Sequence, residues 1–246
     1  MECGGGKGAV LTATIRTIAT TESTNADLIA LAASGLGEGF WLRAEQQTGG
    51  RGRQGRVWQS PPGNFYGSTL VRLRASDPAP ATLALVAAVA LEEAVRLHAP
   101  DTALMIKWPN DLLLGGAKLA GILLERAGDA VVVGIGVNLA HHPDDLDRPV
   151  TSLAAHGTAP EVATFAETLA ELFERWLARW RGEGLAPIRD RWTARAHPAG
   201  TALAASLPDG QRIVGLFDRL DHDGALILRL ADGSVRAIHA ADVFLI

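Results

Sequence analysis

Cysteine is all but missing from this chain. A single one, Cys3, stands among 246 residues, so no internal disulfide can form and no Cys/His metal cluster can be assembled. No oxidising compartment is needed, and a reducing cytosol is the expected setting. Long apolar runs are missing too. The longest, residues 79–91, is too short to span a bilayer and runs straight into Glu92 and Glu93, which fits a buried helix. Basic charge is not in excess: 23 Lys and Arg against 27 Asp and Glu leave a net charge of −4. The surface as a whole therefore has no bias toward nucleic acid or acidic lipid, and an anion site must come from a local basic cluster. No internal repeat is evident, and no helix-turn-helix pattern precedes the first strand. The first nine residues lack the apolar core of a signal peptide and read as a flexible leader.

The remaining composition, 48% hydrophobic and 20% charged, is that of a globular protein with enough length for one catalytic domain and a small appendage. Alternating apolar residues predict a strand over residues 10–19. Ser23-Thr24-Asn25 supplies cap-type side chains before a helix over residues 26–33, which Gly35 can stop. A short strand is expected over 39–44, a polar Gly- and Arg-rich loop over 46–63, a strand over 65–73 and a helix over 78–97. Strand-like runs follow at 104–108, 112–114, 119–125 and 130–137. Val162, Phe165, Leu169, Phe173, Trp176 and Trp180 recur at helical steps, so residues 161–180 form the clearest helix, with a second over about 187–196. After His197-Pro198 the pattern changes to short strands broken at Asp209-Gly210, Asp223-Gly224 and Asp232-Gly233, which are hairpin signals. The expected architecture is α+β: a mixed or antiparallel sheet flanked by helices over residues 10–196, then a small β-barrel over 197–246.

Three clusters carry chemistry. The first is Gly50-Arg51-Gly52-Arg53-Gln54-Gly55-Arg56, closed by Trp58. Glycines let backbone N–H groups approach an oxyanion, and arginines hold phosphate or carboxylate through paired charge-assisted hydrogen bonds. Trp58 could cover an aromatic base. The run formally matches a dinucleotide fingerprint, but that fingerprint must open a helix and here a strand follows. Taken alone it also fits a solvated loop, and three arginines on an acidic protein offer a nucleic acid little neutralisation.

The second cluster is Lys107-Trp108-Pro109-Asn110-Asp111. Lys107 is a cation for phosphates, and Asp111 could hold Mg²⁺ together with substrate phosphate oxygens; a plain surface turn is the competing account. Lys118 then enters an apolar strand, where it needs an anion or a route to solvent. The third cluster is Gly134-Ile135-Gly136-Val137-Asn138. Strand glycines admit a ligand or another backbone, and Asn138 could face an adenine edge. A β-bulge with a turn asparagine explains it equally well.

In their order and spacing, Ser23-Thr24-Asn25, Gln47, the arginine–glycine loop with Trp58, Lys107 to Asp111, Lys118 to Leu123 and Gly134 to Asn138 resemble the catalytic and C-terminal parts of bacterial biotin–protein ligases. The resemblance spans residues 15–246. It implies a class II synthetase-like catalytic domain, a C-terminal SH3-like barrel and, with only a short leader before the first strand, no DNA-binding domain. It implies that Ser23, Thr24, Asn25 and Gln47 line a biotin pocket, joined by Gly121, Gly134 and Gly136. Gly50, Arg51, Gly52 and Arg53 match the loop that closes over biotin and its adenylate. Lys118 matches the lysine at the acyl-phosphate. Trp58, Asn110 and Asn138 match positions near adenine, and Lys107 and Asp111 match phosphate and Mg²⁺ positions. The implied reaction joins biotin to ATP as biotinyl-5′-AMP, with Arg53, Arg56, Lys107 and Lys118 offsetting charge, then passes biotin to a lysine of a biotin carboxyl carrier protein. An edge strand could pair with a second copy or with the carrier. Lipoate or octanoyl transfer and non-catalytic biotin binding are the rival functions.

Overall fold

The computed structural model describes residues 13–146, 148–157 and 159–245. The expected leader and the start of the expected first strand lie outside the described residues. The order of elements is β1 (Thr14–Thr21), α1 (Thr24–Ala33), β2 (Phe40–Gln47), β3 (Phe65–Arg72), α2 (Leu83–His98), β4 (Leu104–Lys107), β5 (Asp111–Leu114), β6 (Ala117–Ala127), β7 (Ala130–Val137), α3 (Val162–Glu183) and α4 (Ala186–Thr193). The seven strands stand in the order β1-β2-β3-β7-β6-β5-β4. β1 runs parallel to β2 and the other neighbours are antiparallel, so the sheet is mixed.

The two-residue period of the strands divides this sheet into unlike faces. In β7, Val131, Val133, Ile135 and Val137 point into the main core, where α2 and α3 cover them. On the other face Leu42, Leu70, Ala130 and Val132 pack on Leu28 and Ala32 of α1. That helix has 10 residues, too few to cover the face. Gly134 lies under Asn25 in its first turn, and beyond its N-terminus the sheet presents Gly136 and Gly121.

Of the helix boundaries that differ from expectation, two have clear local reasons. Residues 78–82 do not join α2: Pro80 holds Ala79 extended (ψ 126°), and Pro80–Thr82 make a 3₁₀ turn first. α4 stops at Thr193 because Arg195 O accepts the N–H of Ile106 and Ala196 bridges to the same residue, drawing the chain onto the free edge of β4. Glu92 of α2, with no exposed side-chain surface, accepts from Arg96 and from Arg191 at 2.8 Å and so ties α2 to α4.

The second sheet contains β8 (Ala202–Ser206), β9 (Arg212–Leu220), β10 (Leu226–Arg229), β11 (Val235–Ile238) and β12 (Asp242–Leu245), antiparallel in the order β11-β10-β9-β8-β12. The three Asp-Gly pairs sit in its hairpins, though in five-residue loops rather than two-residue turns. Gly210, Gly224 and Gly233 take φ of 85°, 83° and 84°, and each donates its N–H three residues back, to Leu207, Asp221 and Leu230. This is a turn closed by a left-handed residue, where glycine removes the steric cost. Trp108 Nε1 donates to Gly224 O at 3.2 Å, and Trp192 meets Phe217 edge-on at 6.2 Å, which seats this sheet against the first unit.

Candidate active site

Strand register brings the separate motifs together. Lys107 lies opposite Asp111, Asp111 opposite Gly121, Gly121 opposite Gly136, and Gly136 opposite Tyr66. Paired residues share a face, so these five form one row across β4, β5, β6, β7 and β3 on the side that α1 leaves bare. Lys118 would point the other way, three residues before Gly121. A register shift between Leu112 and Leu113 leaves one residue of β6 unpaired and turns Lys118 onto the face of Asp111.

All of the row except Tyr66 floors a cavity of about 350 Å³, the size of a small-molecule site. One end is cationic. Lys118 Nζ is ion-paired to Asp111 Oδ1, and Lys107 Nζ lies 4.0 Å from Asp111 Oδ2. Burial lowers the pKa of both lysines, and Asp111 partly restores it. Arg53 reaches in from the arginine–glycine loop. Its Nη1 donates to Ala241 O at 3.1 Å and to Asn110 Oδ1 at 3.4 Å. Arg56 pairs with Asp242 of β12. The loop itself is closed by Gly52 N–H to Arg56 O at 2.7 Å and Trp58 N–H to Gly50 O at 2.9 Å. Gln54 sits in the left-handed region at φ 58°.

The other end is polar and uncharged at its lining. Thr24 N–H donates to Gln47 Oε1 at 2.9 Å, and Gln47 Nε2 donates to Ser60 Oγ at 3.2 Å. Thr24 Oγ1 lies 2.7 Å from Ser68 Oγ, which donates to Asn25 Oδ1 at 2.6 Å. Ser23 caps α1 through Ala26 N–H. Trp58 lies between the two ends. Its indole covers Gly136, where a Cβ would sit 2.7 Å from the ring, and Lys118 Nζ is 5.6 Å from a Trp58 ring centroid.

Most of the residues singled out in the sequence line this one cavity: Ser23, Thr24, Asn25, Gln47, Arg51, Gly52, Arg53, Arg56, Trp58, Lys107, Asn110, Asp111, Lys118, Gly121, Gly134 and Gly136. Gly50 and Asn138 are not among the lining residues. Gly50 is glycine because a Cβ would meet Ser60 Oγ and Trp58 O, both at 2.7 Å, at the base of the loop. Asn138 is 2% exposed and donates its amide to Thr151 O at 3.0 Å, holding the chain after β7. Gly134 borders the cavity, but its missing Cβ makes room for Asn25. Arg148, Asp242 and Phe244 also line the cavity and escaped the sequence reading. Ser68, 0% exposed, escaped it too. A serine in an apolar strand and residues near the chain's end carry no motif; only the fold makes them neighbours.

Comparison with known proteins agrees with this geometry. Residues 18–139 match the Biotin/lipoate A/B protein ligase family, and residues 206–246 match the Biotin protein ligase C terminal domain. A biotin–[acetyl-CoA-carboxylase] ligase of Paracoccus denitrificans is 44% identical over 239 residues, covering 92% of this chain and 98% of that protein. A ligase of the same name from Mycobacterium tuberculosis is 38% identical over 233 residues, covering 92% and 86%. Among solved structures, biotin protein ligase from Aquifex aeolicus in complex with biotin and ATP superposes with a TM-score of 0.86. It covers 95% of this chain and 99% of that one; at 22% identity it speaks for the fold alone. A sheet of this order, a cavity with one cationic and one neutral polar end, and relatives matched over nearly their whole length converge on one assignment: the chain belongs to the biotin–protein ligase family.

Proposed function

We propose that the chain is an ATP-dependent biotin–[acetyl-CoA-carboxylase] ligase. It forms biotinyl-5′-AMP from biotin and ATP, then transfers biotin to a lysine of a biotin carboxyl carrier protein. The observation that carries this is the two-ended cavity: Arg53, Lys107 and Lys118 border one end, and Thr24 and Gln47 the other. A neutral bicyclic ring with a carboxylate tail needs such a site, because its tail must meet a triphosphate without the repulsion of two anions.

In the first step a carboxylate oxygen of biotin attacks the α-phosphate, a P–O bond forms, and pyrophosphate leaves. Negative charge accumulates near the lysines and Arg53, which are already fixed there. Such preorganised charge is commonly the largest catalytic contribution. Asp111 holds both lysines in place before the anions arrive. In the second step the neutral ε-amine of the carrier lysine attacks the acyl carbon, and AMP leaves. Neither step needs a covalent link to the enzyme. Trp58 and the arginine–glycine loop would shield the anhydride from water.

Mg²⁺ commonly binds through one or two carboxylates plus substrate phosphates. Among the described residues no cluster of three or more metal-ligating side chains exists, so the ion would arrive on ATP with Asp111 as its protein oxygen. There it would neutralise part of the triphosphate charge. Residues 197–246 act in this scheme by supplying Asp242 and Phe244 to the nucleotide end. β1 has no strand on its outer side among the described residues, and that edge could take the carrier or a second copy. No described helix is long and apolar enough to cross a membrane; we place the reaction in the cytosol. Biotin-dependent exchange of pyrophosphate into ATP tests the assignment. Exchange with biotin but not with lipoate is expected, and the opposite preference would overturn it.

A further inference from the structure

We infer that Glu125 sets the hydrogen-bond polarity of the ring-binding end, so that Thr24 and Gln47 present two acceptors that an N–H-bearing ring must satisfy. This rests on the reading of that end as the biotin ring site. Glu125 does not line the cavity. It stands on β6, opposite Val132, on the same face as α1, and accepts from Asn25 Nδ2 at 2.7 Å.

The consequences follow from counting protons. A carboxylate only accepts, so the amide of Asn25 must turn its NH₂ to Glu125 and its Oδ1 the other way. Ser68 Oγ, 2.6 Å from that Oδ1, must then donate its only proton to Asn25. Thr24 Oγ1 is 2.7 Å from Ser68 Oγ, and the one proton left for this contact belongs to Thr24. Thr24 therefore points its hydroxyl proton into the protein and its lone pairs into the cavity. Gln47 Oε1, fixed as the acceptor of the Thr24 N–H, is within hydrogen-bond reach of Thr24 Oγ1 at 3.1 Å and competes for the same hydroxyl proton, but the shorter 2.7 Å contact to Ser68 Oγ has no other proton and takes it. Two oxygens face each other with no proton between them. A ligand N–H placed against the pair relieves this, and a ligand without donors leaves it unrelieved.

Burial makes the relay strict. Thr24, Asn25 and Ser68 are 3%, 5% and 0% exposed, so water cannot reset the directions. Gly134 confirms how closely Asn25 is held: an alanine methyl there would sit 2.8 Å from Asn25 Cγ. Glu125 is thus a positioning residue. It acts on the ligand through three side chains and touches none of the reacting atoms.

The test is calorimetric titration of biotin and of desthiobiotin, which keeps the ureido N–H groups and lacks the sulfur ring. The proteins are wild type, Glu125→Gln, Glu125→Leu, Ser68→Ala and the Leu/Ala double variant. Glu125→Gln retains an acceptor for Asn25 and should bind within about threefold of wild type. Glu125→Leu and Ser68→Ala should each lose roughly 10- to 100-fold, the scale of one mis-satisfied buried polar group. Both ligands should lose equally. The double variant should be no weaker than the weaker single one, because both changes break the same relay. KM for ATP and kcat at saturating biotin should hold in Glu125→Gln and Glu125→Leu. Additive losses, a loss confined to biotin, or a Glu125→Leu protein that binds biotin like wild type would each overturn the inference. If wild-type protein bound no biotin at all, the ligase reading would fall first and this inference with it.

Discussion

Replacing Gly134 and Gly136 by alanine, one at a time, should give opposite results from the same chemical change. The two glycines are two residues apart on β7 and face the same cavity. At Gly134 the new methyl would overlap Asn25 Oδ1 and lie 2.8 Å and 2.9 Å from its Cγ and Nδ2. Asn25 is buried on α1, so it can retreat only by giving up its bonds to Ser68 and Glu125. Overpacking costs about 1–3 kcal/mol, and two lost hydrogen bonds add roughly 1 kcal/mol each. A destabilisation of about 3–5 kcal/mol corresponds to a fall in Tm of roughly 6–20 °C for a chain of this size. At Gly136 the methyl would meet the Trp58 indole at 2.7 Å. That ring is partly exposed at the end of a loop and can swing away, so stability should change by less than about 1 kcal/mol, while biotin-dependent exchange falls. Scanning calorimetry and urea titration measure the first effect, and pyrophosphate exchange the second. A Gly134→Ala protein as stable as wild type, or a Gly136→Ala protein that is the less stable of the two, would refute this account of what the glycines are for.

Three further outcomes are expected. Lys118→Ala should abolish biotin activation, by about 10³-fold or more, yet keep the fold, because Asp111 retains Lys107 as a partner; near-normal pyrophosphate exchange would remove Lys118 from the mechanism. Burial holds the Lys107 and Lys118 ammonium groups below the usual 10.5, so exchange should fall on the alkaline side before exposed lysines titrate. In the window between the lowered folded pKa and 10.5 the unfolded chain binds more protons, so these two groups raise stability as pH climbs. The activity loss is therefore not unfolding, and Lys118→Arg should move the limb upward; a limb unmoved by it would count against the assignment. Glu92→Gln leaves Arg96 and Arg191 facing a neutral buried amide, and should cost about 3 kcal/mol by urea titration without changing KM for biotin; a change below 0.5 kcal/mol, within the range of ordinary surface substitutions, would show that the cluster does not hold α2 to α4.

Elements with their own local signal could be read from the sequence. The period of α3 and the short apolar run of β7 follow from side chains a few residues apart, and their bounds were nearly right. The cavity was legible as a set of residue types: cations at 53, 107 and 118, polar groups at 24 and 47, glycines at 121, 134 and 136. Its layout was not. Lys107, Asp111, Gly121 and Gly136 share a row only through the registers of three strand pairs, and no local pattern encodes a register. Lys118 faces Asp111 only through a bulge. Asn138 shows the converse. Its side chain suits an adenine edge by type, but its amide is committed to Thr151 O. The hydrogen-bonding capacity of a residue is visible in sequence, whereas the partner that uses it depends on the fold.

The glycines and the short helix α1 have one joint cause and one joint consequence. A strand face lined by glycine buries little apolar surface and packs a helix poorly. β7 carries Val132 under α1, Gly134 under Asn25 in the first turn of α1, and Gly136 beyond the end of the helix, so the helix stops where the face loses its side chains. There the backbone lies open at the N-terminus of α1, and Ser23, Thr24 and Asn25 sit as cap and first-turn residues. Ser23 is polar because a helix start needs an acceptor, whereas Thr24 and Asn25 turn their polar groups to Gln47, Ser68 and Glu125. The same polarity then faces the cavity. On the opposite margin β4 and β5 are too short to carry their charges away from the row, and Lys107 and Asp111 remain paired at the floor's edge. A neutral polar rim, a bare floor and a charged rim thus arise from one sheet that changes its side-chain volume along one face. Filling the floor would close the site, and lengthening α1 over it would need apolar residues where the sequence has glycine.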